Sequence, residues 1–203
     1  MAATKPNVIV IAGPNGAGKS TAARRLLTGA MRVTEFVNAD VIAQGLSAFE
    51  PEKVAISAGR IMLTRLKELA AQRVSFAFET TLASRSFAPW IAGLCEGGYA
   101  FHLFYNWVPS PDFSIARVAL RVRAGGHHVP EDTIRRRYFG GVRNFFELYC
   151  PIATRWRCYN SSLETPKLIA IGGKGYERIY NSQTWQQILR TRDALESGAA
   201  EPS

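Results

Sequence analysis

Eight consecutive residues near the start of the chain, Gly13-Pro14-Asn15-Gly16-Ala17-Gly18-Lys19-Ser20, follow the spacing G-x-x-x-x-G-K-[ST]. Residues of these types at this spacing bind phosphate. The glycines let backbone N–H groups turn inward, the lysine spans the β- and γ-phosphates of a nucleoside triphosphate, and the hydroxyl coordinates Mg²⁺. An apolar run, Val8-Ile9-Val10-Ile11-Ala12, enters the loop, and a helix-forming stretch leaves it through Ser20 and Thr21. That is the strand–loop–helix context the chemistry needs, because a helix N-terminus adds its own partial positive charge. Gly13 to Thr21 is therefore read as an ATP site, with Lys19 on the phosphates and Ser20 on Mg²⁺.

A phosphate loop serves GTPases, motor ATPases, transporter subunits and kinases alike, so its neighbours must discriminate. The guanine-reading N-K-x-D pattern and an LSGGQ-like signature are both absent. Asp40, in Asn38-Ala39-Asp40, follows an apolar run and has two readings. It can accept the proton of an attacking hydroxyl as a general base, or cap a helix starting at Val41-Ile42-Ala43. The neighbouring phosphate loop favours the base. Glu79 ends the run Phe76-Ala77-Phe78, ahead of Thr80 and Thr81. A carboxylate at an apolar strand end can tether Mg²⁺, hold an acceptor's hydroxyls, or serve structure alone. Thr81 and Arg85 can hold the acceptor; Arg85 can equally be a surface residue.

Arginines crowd the segment from Arg117 to Arg157, three of them consecutive at Arg135-Arg136-Arg137. Such a cluster implies one local anionic target. Arg121 and Arg123 precede the turn Ala124-Gly125-Gly126-His127-His128, and Pro130-Glu131-Asp132 opens the next helix. Two helices joined by a flexible turn make a closing lid, placed at about 115–149, whose arginines stabilise charge on a phosphoryl group in flight. If Ile134, Tyr138 and Val142 face the core, not all three consecutive arginines can face the nucleotide. Arg123 and Arg136 are the first choices, with Arg137 and Arg121 in reserve. His127 and His128 read as turn residues rather than metal ligands, with a part for His127 in binding phosphate or closing the lid left open.

These residues need a scaffold. Candidate strands are Val8–Ala12, Thr34–Asn38, Val74–Glu79, Ala100–Val108 and Lys167–Gly172. Between and after them lie helix-like stretches at Lys19–Leu27, Pro51–Gln72, Ser86–Glu96, Ser110–Arg123, Glu131–Tyr149 and about Ser182–Leu195. Alternation of near-continuously apolar strands with helices predicts an α/β fold, a doubly wound five-stranded parallel sheet with its ligand at the carboxyl ends of the strands. The fold class is that of a P-loop NTPase, kinase-like, with a helical arginine lid. One domain, 1–195, accounts for the length, and 196–203 reads as a flexible tail. With 25 Lys+Arg against 16 Asp+Glu the net charge is +9, which fits a phosphate-rich partner, nucleotide or nucleic acid. Trp107, Trp156 and Trp185 read as core aromatics, and their wide spacing argues against a nucleic-acid groove. No stretch approaches the roughly 20 apolar residues of a membrane span. Three cysteines at wide spacing suit neither a disulfide framework nor a zinc site, which points to a reducing cytoplasm.

The ordered set G-P-N-G-A-G-K-S, N-A-D-V-I-A, F-A-F-E-T-T-L-A-S-R and R-V-R-A-G-G-H-H-V-P-E-D-T-I-R-R-R-Y, spanning about Asn7 to Gly173, resembles the zeta-toxin family of P-loop kinases. The turn G-G-H-x-V-P is similar to that of its short bacterial branch. The resemblance implies transfer of the ATP γ-phosphate to a small acceptor, UDP-N-acetylglucosamine in the toxins. It implies Lys19 and Ser20 on ATP and Mg²⁺, Asp40 as base, Glu79 and Thr81 on the acceptor, and Arg123 with Arg136 or Arg137 on the transferred phosphate. Two rival readings are a nucleic-acid hydroxyl kinase or RNA-binding ATPase, and a toxin-like module silenced by an antitoxin partner.

Overall fold

The computed structural model describes residues 5–31 and 33–197. The expected tail at 198–203 lies outside the described residues, and Glu196, assigned to it from sequence, ends the last helix. In chain order the elements are β1 (Asn7–Ala12), α1 (Lys19–Leu26), β2 (Glu35–Val37), α2 (Ala39–Leu46), α3 (Ala55–Ala71), β3 (Phe76–Thr80), α4 (Phe87–Glu96) and β4 (Ala100–Trp107). There follow α5 (Pro111–Arg123), α6 (Glu131–Asn144), β5 (Arg155–Asn160), β6 (Lys167–Gly173), β7 (Tyr176–Ile179) and α7 (Ser182–Glu196). A π turn extends α1 over Leu27–Met31 and another extends α6 over Phe145–Tyr149, while a short 3₁₀ turn at Pro51–Val54 leads into α3.

The α/β class holds, but the sheet is larger than the five parallel strands expected. Among the described residues seven strands run in the order β2-β3-β1-β4-β5-β6-β7. β2 to β5 are mutually parallel through β3, β1 and β4, whereas β5–β6 and β6–β7 are antiparallel. The strand predicted at Lys167–Gly172 is therefore not a parallel member. Only 161–166 separate it from β5, too short for a parallel crossover.

β1 is central, and its alternation divides the core. Val8, Val10 and Ala12 face a large cluster with Leu66 of α3, Ile91 of α4, Tyr138 and Val142 of α6 and Ile188 of α7. Ile9 and Ile11 face Ala23 of α1 and Phe104 on the other side. Each such buried aliphatic contributes about 1.5–3 kcal/mol. Trp107, Trp156 and Trp185 are buried, the last two stacked 5.7 Å apart, as core aromatics should be. Because β2, β3 and β1 are adjacent and parallel, their carboxyl ends open side by side. Among the described residues no helix is long and apolar enough to cross a membrane.

Candidate active site

The loop between β1 and α1 turns on glycines in backbone conformations that residues with a Cβ rarely adopt. Gly13, Gly16 and Gly18 have φ of 139°, 74° and 71°, and a Cβ on Gly13 would stand 2.2 Å from the Asn106 carbonyl oxygen at the end of β4. Gly18 is the N-cap of α1 in the left-handed conformation. Pro14, Asn15 and Ala17 are buried, and Asn15 Oδ1 is a buried oxygen without a hydrogen-bond partner. The loop is shaped as a cradle with polar capacity to spare, which fits a triphosphate.

Lys19 is 8% exposed, its ammonium donating to Pro14 O at 3.0 Å and lying 3.7 Å from Glu79 Oε1. Burial lowers its pKa below that of an ordinary lysine. Glu79 and Asp40 push it back up, and Arg121 and Arg137 lower it further. Ser20 Oγ donates to Glu79 Oε2 at 2.8 Å, and Asn38 Nδ2 donates to the same oxygen at 2.8 Å. Ser20 and Glu79 thus offer a hydroxyl and a carboxylate at one point beside Lys19, an oxygen donor pair of the hard kind Mg²⁺ takes. Thr21 is exposed in the first turn of α1.

Asp40 is not the N-cap of α2. Asn38 is, its Oδ1 accepting from Asp40 N at 2.8 Å, so the Asp40 carboxylate has no capping duty. It lines a cavity of about 410 Å³ together with Asn15, Lys19, Glu79, Thr81 and Arg137. The Thr81 loop is fixed from α6: Asn144 Nδ2 donates to Leu82 O at 2.7 Å and Tyr149 OH to Ser84 O at 3.1 Å. The far wall, which sequence reasoning missed, is α3 with Ile56, Arg60 and Leu63. The core stripe of α3 is Ala58, Met62, Leu66 and Leu69, so apolar Ile56 and Leu63, 76% and 42% exposed, stand off that stripe with no packing reason. That was the available signal.

The arginines do not form one cluster. Arg117 donates to Gly16 O, Ser161 O and Ser162 O, clasping the phosphate loop to the β5–β6 connection, and Arg135 pairs with Asp112 at 2.6 Å. Arg155 and Arg157 belong to β5. Over 115–149 the first choices and the reserves differ in exposure. Arg123 and Arg136 are exposed, while Arg121 and Arg137 are half-buried and are the arginines whose charge bears on Lys19. Burial lowers the Arg137 pKa, Asp40 raises it and Arg136 lowers it. Arg85 is exposed and outside the cavity lining. We expect Arg137→Ala and Arg121→Ala to slow γ-phosphate release from ATP roughly 10²-fold. Arg136→Ala and Arg123→Ala should change it less than about twofold, since exposed charges contribute little. Initial rates with γ-labelled ATP decide between the two pairs.

A family model described as an AAA domain matches residues 8–138, a span holding every residue placed in the cavity above. A protein of Haemophilus influenzae, called an uncharacterized protein, is 31% identical over 130 residues, which is 64% of this chain and 91% of its own. Among solved structures the chain is similar to one from the complex of AvrRxo1-ORF1 and AvrRxo1-ORF2 with sulphate ions. There the TM-score is 0.75 with 15% identity, over 98% of this chain and 73% of that one. It is also similar to a chain from the PezAT chromosomal toxin–antitoxin system of Streptococcus pneumoniae, with a TM-score of 0.63 and 17% identity, over 100% and 90%. At such identities the likeness shows a shared α/β fold. With a sequence match that runs from the strand before the glycine-rich loop to Tyr138 of α6, the chain belongs to the AAA domain family.

Proposed function

We propose that the chain is an ATP-dependent phosphotransferase that moves the γ-phosphate to a hydroxyl of a small acceptor. The observation carrying this reading is the shared cavity: Lys19 and Glu79 of the nucleotide side and Asp40, Thr81 and Arg137 line one space at the carboxyl ends of β1, β2 and β3. The phosphate loop holds the triphosphate. Ser20 and Glu79 hold Mg²⁺, which supplies charge neutralisation on the phosphates. Asp40 takes the proton of the acceptor hydroxyl while its oxygen attacks phosphorus, and Lys19, Arg121 and Arg137 balance charge as ADP leaves. The segment 115–149 acts as the lid. A further crystal structure of the AvrRxo1-ORF1 and -ORF2 complex, with ATP, has a similar fold at a TM-score of 0.73, which supports ATP here.

A sugar nucleotide such as UDP-N-acetylglucosamine is the first acceptor to try, with Arg60 and Arg137 available to its phosphates and Ile56 and Leu63 to its apolar face. The likeness to a chain of the PezAT toxin–antitoxin system supports a partner protein that silences the site. The test is incubation with γ-labelled ATP and a metabolite panel that includes UDP-N-acetylglucosamine. A new labelled species is the expected result. Label that moves only to water, whichever metabolite is present, would count against the small-acceptor reading.

A further inference from the structure

The turn between α5 and α6 brings another side chain to Asp40, and it does so through glycines. Gly125 has φ 86°, and a Cβ on Gly126 would stand 2.6 Å from Cγ of Arg121. The Arg121 side chain therefore lies across Gly126. Its Nη2 donates to His127 O at 3.1 Å and stands 3.3 Å from His127 Nε2. That clip presents the imidazole, 17% exposed, to Asp40, with Nε2 3.8 Å from Oδ2. One ring nitrogen thus faces both a guanidinium and a carboxylate. An N–H of Arg121 aimed at Nε2 needs a lone pair there, which puts the ring hydrogen on Nδ1. A lone pair standing against a carboxylate can receive a proton that the carboxylate has first taken up.

We propose that His127 is a positioning residue for phosphoryl transfer, standing behind Asp40 and taking on the proton that Asp40 removes from the acceptor hydroxyl. The inference rests on the reading of Asp40 as base. The acceptor oxygen bonds to the γ-phosphorus as its O–H bond breaks. The bond from that phosphorus to the β–γ bridging oxygen also breaks, and ADP leaves with the electron pair. The proton passes to Asp40, from there to Nε2, and then to water. After the second transfer Asp40 is again a carboxylate, and Nε2–H donates to Oδ2 instead of accepting from Arg121. The other charges around the pair are Lys19 of α1 and Arg137 of α6, both bearing on Asp40, and Glu79 of β3 across Lys19. His128 follows in the turn and is exposed.

The test uses the full chain with Mg²⁺ and γ-labelled ATP, water serving as acceptor, beside NMR of ¹⁵N-histidine. His127→Ala should release phosphate roughly 10²-fold more slowly at an unchanged KM for ATP, and free imidazole should restore the rate in a saturable, pH-dependent way. In the spectra Arg121→Met should change which ring nitrogen of His127 carries hydrogen, and Asp40→Asn should shift the Nε2 signal. A rate unaffected by His127→Ala, a loss that imidazole does not restore, or ring signals indifferent to Asp40→Asn each overturns the inference. The Asp40→Asn variant separates this from the proposed function. If it releases phosphate at the wild-type rate, the base assignment itself fails. If it is inert beside a fully active His127→Ala, only the role of His127 is lost.

Discussion

Lys19→Ala is expected to lower phosphoryl transfer on the order of 10³-fold and to weaken ATP binding about tenfold, since a charge-assisted contact to phosphate is worth roughly 1.5–3 kcal/mol. The size of the effect follows from where the ammonium is kept. Lys19 is buried in the cradle, where an opposite charge acts through a lower effective dielectric than water and interacts correspondingly more strongly. Its present contacts, the Pro14 carbonyl and the Glu79 carboxylate, are ones a triphosphate can displace without rebuilding the loop. Removal also leaves Glu79, a nearly buried carboxylate, with Ser20 and Asn38 as its remaining hydrogen-bond donors. A fall in melting temperature should therefore accompany the loss of activity, and Lys19→Met, which keeps the side-chain volume, should recover part of the packing without recovering transfer. Titration calorimetry with ATP and rates with γ-labelled ATP read the two effects apart. Full ATP affinity in Lys19→Ala would remove the phosphate assignment of the loop.

What the chain discloses in one dimension tracks how local each feature is. The phosphate loop is contiguous and bracketed by its own strand and helix, so its identity needs no tertiary information. Asp40 and Glu79 could be placed from sequence because one follows the short strand β2 and the other lies at the end of β3, and strand ends in a parallel sheet share one edge. The inward face of α6 was also legible: Ile134, Tyr138 and Val142 are all buried. That same phase sorts Arg136 from Arg137 by exposure. At 100° per residue Arg136 points nearly opposite the Ile134–Tyr138–Val142 stripe, while Arg137 flanks it, and Arg136 is exposed as that geometry demands. The difference in exposure between Arg121 and Arg123 was not available in this way, because it comes from Arg121 folding over a glycine five residues later. Nor was β5 evident. Its alternation of Arg155 and Arg157 with Trp156 and Cys158 sits inside the arginine-rich segment, where charge density obscured the period of two. The exposed β7 has no apolar face to announce it; only the tight connection Lys174-Gly175, with Gly175 at φ 80°, marks the hairpin.

Asp40→Asn should reduce phosphoryl transfer roughly 10²- to 10⁴-fold, the range a positioned general base supplies, while leaving the dissociation constant for ATP within about twofold. The separation is sharp because Asp40 has so little structural duty. Asn38 caps α2, and the Asp40 backbone N–H, not its carboxylate, makes that contact. Beyond its place 3.8 Å from His127 Nε2, what the carboxylate gives the fold is its position in the first turn, where a negative charge is worth about 0.3–1 kcal/mol against the helix dipole. Asparagine keeps the shape and loses both the charge and the capacity to take a proton. The loss should accordingly appear in kcat, with KM for ATP and melting temperature nearly still, because the interaction removed is made to the acceptor in flight rather than to bound nucleotide. It should also be deeper than that of Arg137→Ala, since one substitution removes the route for the proton and the other only part of the charge balance. An Asp40→Asn protein that turned over at the wild-type rate, or whose lost rate was matched by lost ATP affinity, would move the base elsewhere along the cavity, with Glu79 the next carboxylate in line.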